Sequence, residues 1–117
     1  MKKKIKIICF DIDNTICVTK KNFYKFSKPN LKAIKKVNNL HAKGYYIKFF
    51  TSRFMGRNND SSKHAKRDGL SLTKKQLKKW KVNYNKLIMG KPSYDLIVDD
   101  KCIFYKKDWY NYIEKKL

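Results

Sequence analysis

Residues 5–10, "IKIICF", are β-branched and aromatic, and they stop abruptly at Asp11-Ile12-Asp13. The second half of that run is apolar on both faces, as a central strand of a parallel sheet requires. A second such strand is expected over residues 45–51, "YYIKFFT". Between the two, Ser27 and Pro29 are expected to open a helix, with Leu31, Ile34, Val37 and Leu40 as its buried stripe and Gly44 as its stop. Strand, helix and strand in that order make a right-handed βαβ unit, the start of a parallel sheet.

The remaining segments extend this pattern. Residues 16–28 have no helical period and read as a loop or short hairpin, and residues 52–72 are polar and irregular, with Gly56 and Gly69 as breakers and a short helix from Asp60. Thr73 and Gln76 form a T-x-x-Q capping box that starts a helix carrying Leu77 and Trp80. "KLIM" before Gly90 predicts a third strand, "YDLIVDD" a fourth, and "CIF" an edge strand. Trp109, Tyr112 and Ile113 place an apolar stripe on a helix starting near Asp108. No repeat or linker interrupts the chain, and its 117 residues suit one domain, 1–117. The expectation is an α/β three-layer sandwich with a central parallel sheet of four or five strands.

Charge has to be weighed against that fold. Thirty basic residues against nine acidic ones give a formal net charge of +21, while a hydrophobic fraction of 42% keeps the chain in the globular class. "TKKNFYKF" interleaves lysines with aromatic rings, as single-strand binders do. The basic residues are nearly all lysines scattered along the chain, so compositional bias is the simpler account, and nucleic acid is not the favoured partner. A positive potential also draws phosphorylated substrates. No apolar run approaches a membrane span and the N-terminus lacks a cleavage site, so a cytoplasmic protein without a membrane partner is expected. Cys9, Cys17 and Cys102 lack ligand or disulfide spacing and read as free thiols in a reducing compartment. His41 and His64 are isolated and carry no assigned role.

In an open parallel sheet, ligands bind outside the carboxyl ends of the strands. Asp11 and Asp13 follow the first strand, Thr51-Ser52-Arg53 the second, and Asp99-Asp100 the "LIV" run, so four of the nine acidic residues are expected to converge at that edge. Residues i and i+2 of an extended segment face the same way, which puts Asp11 and Asp13 on one face. Crowded carboxylates repel unless protons or a cation neutralise them, and hard oxygen ligands suit Mg²⁺ together with a substrate phosphate.

These residues resemble the motifs of the haloacid dehalogenase (HAD) superfamily of aspartate-nucleophile phosphatases. Asp11-Ile12-Asp13-Asn14-Thr15 matches its D-x-D-x-T, Thr51 the Ser/Thr ending a later strand, Lys91 the motif lysine, and Asp99-Asp100 the acidic pair, all in the family's order across residues 5–100. The resemblance implies a HAD-like Rossmannoid fold and an aspartyl-phosphate mechanism. Asp11 is then the nucleophile and Asp13 the general acid and base, protonated when substrate binds. Thr51 holds phosphoryl oxygens and Lys91 neutralises developing charge. Mg²⁺ is implied on the Asp11 carboxylate, the Asp13 backbone carbonyl and Asp99, with Asp100 behind them. Ser52, Arg53 and Arg57 are the candidate substrate-binding residues, the two arginines reading a second anionic group.

The gaps where relatives insert a cap domain, residues 16–50 and 52–90, are consumed by connecting helices, so a capless member is expected. Its open site admits a bulky substrate or is closed by a neighbouring subunit of a homo-oligomer. Similarity is greatest to the small HAD phosphatases of polysaccharide and capsule biosynthesis, which implies a phosphorylated sugar or related metabolite as substrate. Two alternatives stand beside it: a nucleic-acid 3′-end phosphatase, and a non-catalytic binding protein on the HAD fold.

Overall fold

The computed structural model describes residues 5–117. Its first strand, β1, spans Ile7–Phe10, followed by the two-residue strands β2 (Cys17–Val18) and β3 (Lys28–Pro29). Helix α1 (Leu31–Ala42), strand β4 (Tyr46–Thr51), helix α2 (Ser62–Lys79) and strand β5 (Lys86–Met89) come next. Single 3₁₀ turns lie at Tyr24–Phe26, Gly56–Asn58, Trp109–Asn111 and Ile113–Lys116. β4 is the centre of a three-stranded parallel sheet in the order β1-β4-β5, with Phe10 opposite Phe49 and Thr51 opposite Met89. The βαβ expectation holds, and so does the hairpin: β2 and β3 pair antiparallel, Val18 opposite Lys28.

The core grows from one face of β4. Ile47, Phe49 and Thr51 are buried while the alternate Tyr46 is exposed and Lys48 and Phe50 are half-buried. Onto Ile47 and Phe49 pack Phe10, Ile34, Val37 and Leu40 of α1, Leu77 of α2, and Trp109 and Ile113. The chain is therefore a small α/β fold with helices flanking a parallel sheet.

Three expectations are corrected. Residues 95–98 and 102–104 are not strands: Leu96 and Val98 are 82% and 92% exposed, and among the described residues nothing pairs with the outer edge of β1. β-propensity expresses itself only where a neighbouring strand takes the backbone hydrogen bonds, so an apolar run is no strand by itself. The C-terminal helix is replaced by two 3₁₀ turns, although Trp109 and Ile113 are buried as the stripe required. The third correction concerns how the helices begin. Pro29 belongs to β3, and Asn30 caps α1 by accepting the Ala33 N–H at 3.2 Å, which leaves Leu31 exposed and puts Ala33 in the buried stripe beside Ile34, Val37 and Leu40. Gly44, with φ +96°, ends that helix as expected.

α2 is one helix where two were expected. Ser61 caps it by accepting the His64 N–H at 3.3 Å, and it runs unbroken through Gly69 to Lys79. Gly69 survives in mid-helix because the Phe54 ring occupies the space of its side chain: a Cβ there would lie 2.2 Å from Phe54 Cδ2. Thr73 and Gln76 lie inside the helix and are buried, free to serve a different purpose from capping.

Candidate active site

The carboxyl ends of all three strands lie at one edge of the sheet. Directly after β1, Ile12 turns into the core, and its carbonyl accepts the N–H groups of Thr15 and Ile16 at 3.1 and 3.0 Å. Asn14, at φ +61°, makes this reversal, a conformation that its short polar side chain tolerates better than most. Trp109 Nε1 donates to the Thr15 carbonyl at 2.9 Å and the Tyr105 hydroxyl to that of Asn14 at 2.5 Å, so the C-terminal segment pins the turn from outside.

Asp11 stands at the edge with its carboxylate partly open to solvent, and Lys91 Nζ lies 3.9 Å from its Oδ1. Burial pushes the Asp11 carboxyl above the ordinary range; Lys91, the Ile12 N–H and Arg53 oppose the shift, and Asp13 adds to it. Lys91 is steered there by the chain leaving β5, since Gly90 takes φ +97° and the Lys91 N–H donates to the Thr51 carbonyl at 3.1 Å. The structure thus brings together Asp11, Thr51 and Lys91. The Thr51 side chain is buried, and its Oγ1 accepts the Arg53 N–H at 3.1 Å. Ser52 donates to the Pro92 carbonyl at 3.0 Å.

Arg53 is a correction. It was expected to read a second anion on the substrate, yet it is 1% exposed and its guanidinium is spent inside the protein. Nε donates to Asp13 Oδ1 and Oδ2 at 3.1 and 3.0 Å, Nη2 to Oδ1 at 2.8 Å, and Nη1 to Gln76 Oε1 at 2.5 Å. Ser27 Oγ accepts a second Nη2 bond at 3.3 Å, and the Tyr24 ring lies 5.1 Å from the guanidinium carbon.

A ring of hydrogen bonds closes around this pair. Thr19 donates its hydroxyl proton to Asp13 Oδ1 at 2.6 Å, so the 2.6 Å contact between the two hydroxyls must be Ser27 donating to Thr19. A buried arginine needs such a set of acceptors, because its charge cannot be given up. Asp13 Oδ1 is saturated by this ring, whereas Oδ2 receives one donor, Arg53 Nε. The side chain expected to act as general acid and base is therefore held chiefly through Oδ1.

Thr19, Ser27, Thr73 and Gln76 were missed as site residues. Thr73 and Gln76 carried a usable signal, since at helical spacing they share a face with the apolar Ala65, Gly69 and Leu77, where a polar pair needs a buried partner, but the capping-box pattern fits the same two residues. Arg57 remains exposed, 4.5 Å over the Phe54 ring, and donates to the Asn22 carbonyl at 3.4 Å.

Asp99 and Asp100 are not brought to Asp11. Both are exposed in a turn where Asp99 Oδ1 accepts the Lys101 N–H at 2.9 Å, and the described residues contain no cluster of three or more metal-ligating side chains. The expected convergence of four carboxylates is reduced to two. The cause lies in the fold: a residue pair following a strand reaches the sheet edge only if that strand has joined the sheet.

No protein-family model and no curated protein matches the chain. A crystal structure of a structural-genomics target from Vibrio cholerae does match, with TM-score 0.78 at 22% identity over 97% of this chain and 100% of that one. At that identity the likeness shows a shared fold. Among the described residues no helix is long and apolar enough to cross a membrane.

Proposed function

We propose that the protein is a Mg²⁺-dependent phosphomonoesterase of HAD type, acting on a phosphorylated sugar or related metabolite. The observation that carries this reading is the meeting of Asp11, Lys91 and the end of β4 at one sheet edge, with a half-open carboxylate 3.9 Å from an ammonium. Asp11 attacks phosphorus, the bond to the leaving oxygen breaks, and that oxygen takes the proton that Asp13 carries on Oδ2 when substrate binds, leaving Asp13 as the carboxylate. Water then attacks the aspartyl-phosphate, Asp13 takes a proton from it, and phosphate leaves with Asp11 restored. Lys91 offsets the charge on the phosphoryl oxygens. Arg53 holds the Asp13 side chain in position, as a group acting through another.

The donors at hand fit a hard cation in part. Burial raises the Asp11 carboxyl above its ordinary range, a cost that a bound cation would offset, and the Asp13 backbone carbonyl would add a second oxygen. Mg²⁺ bound there would neutralise the repulsion between nucleophile and phosphate. The reading is tested by hydrolysis of an aryl phosphate with and without Mg²⁺. Activity that requires the metal and disappears in Asp11→Asn supports it; no turnover by the wild-type protein overturns it.

A further inference from the structure

The outward face of the β2–β3 hairpin forms a groove of ≈ 440 Å³ lined by Val18, Lys20, Phe23, Phe26 and Lys28. Alternation along the hairpin separates its two faces: Cys17, Thr19 and Ser27 point to the Asp13 ring, while Val18, Lys20, Phe26 and Lys28 are exposed. Phe23 is 58% and Phe26 73% exposed, an unusual state for two neighbouring phenylalanines on an otherwise lysine-covered surface. We propose that this groove binds single-stranded nucleic acid, with bases stacking on Phe23 and Phe26 and the backbone phosphates running past Lys20 and Lys28.

Charge complementarity selects the occupant. Apolar rings ringed by ammonium groups suit a ligand that is both flat and anionic, and every base of a single strand brings a π-face beside a phosphate. A second copy of the chain carries the same +21 charge, so docking two such grooves together sets lysines against lysines. A duplex hides its base faces and leaves the two rings unused. The site lies on the face of the hairpin opposite the Asp13 ring, so the inference stands or falls separately from the catalytic reading.

The experiment is fluorescence anisotropy with a labelled oligothymidylate of about a dozen nucleotides, titrated at several salt concentrations, with a duplex of equal length and heparin as comparators. Phe23→Ala and Phe26→Ala should each weaken binding by roughly five- to a hundredfold without changing the salt slope. Lys20→Gln and Lys28→Gln should each reduce the magnitude of the slope by about 0.7. Far-UV circular dichroism and the urea unfolding midpoint should be the same in all four variants, which shows that they fold. Phe-independent binding, or equal binding of heparin, reduces the effect to adsorption of any polyanion and overturns the proposal. It is likewise overturned if the wild-type protein associates with itself in solution and Phe26→Ala abolishes that association.

Discussion

Arg53 and Asp13 form an ion pair in which an arginine with a wholly buried side chain approaches both carboxylate oxygens of an aspartate that is itself four-fifths covered, at 2.8 to 3.1 Å. The pair ties the turn after β1 to the turn after β4, and through Gln76 and Ser27 it ties both to α2 and the hairpin. Removing Arg53 leaves a carboxylate that is four-fifths covered without its cation. Arg53→Met should therefore cost about 3–5 kcal/mol in urea unfolding. Arg53→Lys should recover only part of this, because an ammonium cannot reproduce the planar set of donors. A loss below about 1 kcal/mol for Arg53→Met would show that the ring is not formed in solution.

Gly69→Ala separates packing from helix propensity. Alanine is the better helix former by about 1 kcal/mol, yet its Cβ would overlap a Phe54 ring already wedged against Tyr24, 4.9 Å between centroids. Overpacking typically costs about 1–3 kcal/mol, so the substitution should destabilise, whereas Gly56→Ala, with open space around its Cβ, should change stability by less than about 0.5 kcal/mol. Paired denaturation curves decide the sign.

The Asp11 carboxyl gives a pH dependence whose direction follows from burial. Its folded pKa is raised, so between the unfolded value and the raised one the folded state binds more protons, and stability falls as pH rises through that window. At neutral pH Asp11→Asn should unfold at a higher temperature than wild type while losing about a thousandfold or more of any phosphatase activity. Calorimetry against pH checks the first half: the fall assigned to Asp11 should be missing in the variant.

Magnesium should act on the same carboxylate. Under the proposed function, Mg²⁺ at about 100 times its dissociation constant should stabilise the wild-type protein by about 2.7 kcal/mol, and Asp11→Asn by far less. Equal shifts in melting temperature for the two proteins would place the metal elsewhere.

Trp109 is the anchor of the C-terminal segment, buried at 5.2 Å from the Phe10 ring with its Nε1 on the Thr15 carbonyl. Trp109→Phe should cost about 1 kcal/mol for the lost hydrogen bond and Trp109→Ala about 3–5 kcal/mol for the cavity. Because Thr15 closes the turn carrying Asp13, hydrogen exchange in residues 13–16 should quicken in both.

Much of the architecture is legible in local pattern. The runs at Ile7–Phe10, Tyr46–Thr51 and Lys86–Met89 are strands, and the i, i+3 spacing of Ile34, Val37 and Leu40 is the buried face of a helix, because each signal lies within a few residues of chain. The positions of Asp11, Thr51 and Lys91 follow directly, since each comes within two residues of the end of a paired strand. Where the structure departs from local pattern, two structures compete for the same residues. Thr73 and Gln76 satisfy a capping box equally well as they satisfy a buried arginine, and only the arrival of Arg53 from twenty residues earlier decides between them. Leu96–Val98 has the composition of a strand, and composition does not say whether a neighbour is in place to pair with it.

By itself, then, the sequence determined the parallel βαβ frame and the identity of the residues at its carboxyl edge, including the abrupt stop at Asp11 and Asp13, because periodicity and chain order are local properties. Tertiary structure alone decided what those residues do to one another. It drew Lys91 to Asp11, buried Arg53 against Asp13, and left Asp99 and Asp100 exposed, since contacts between distant segments depend on which surfaces the packed helices and strands bring together.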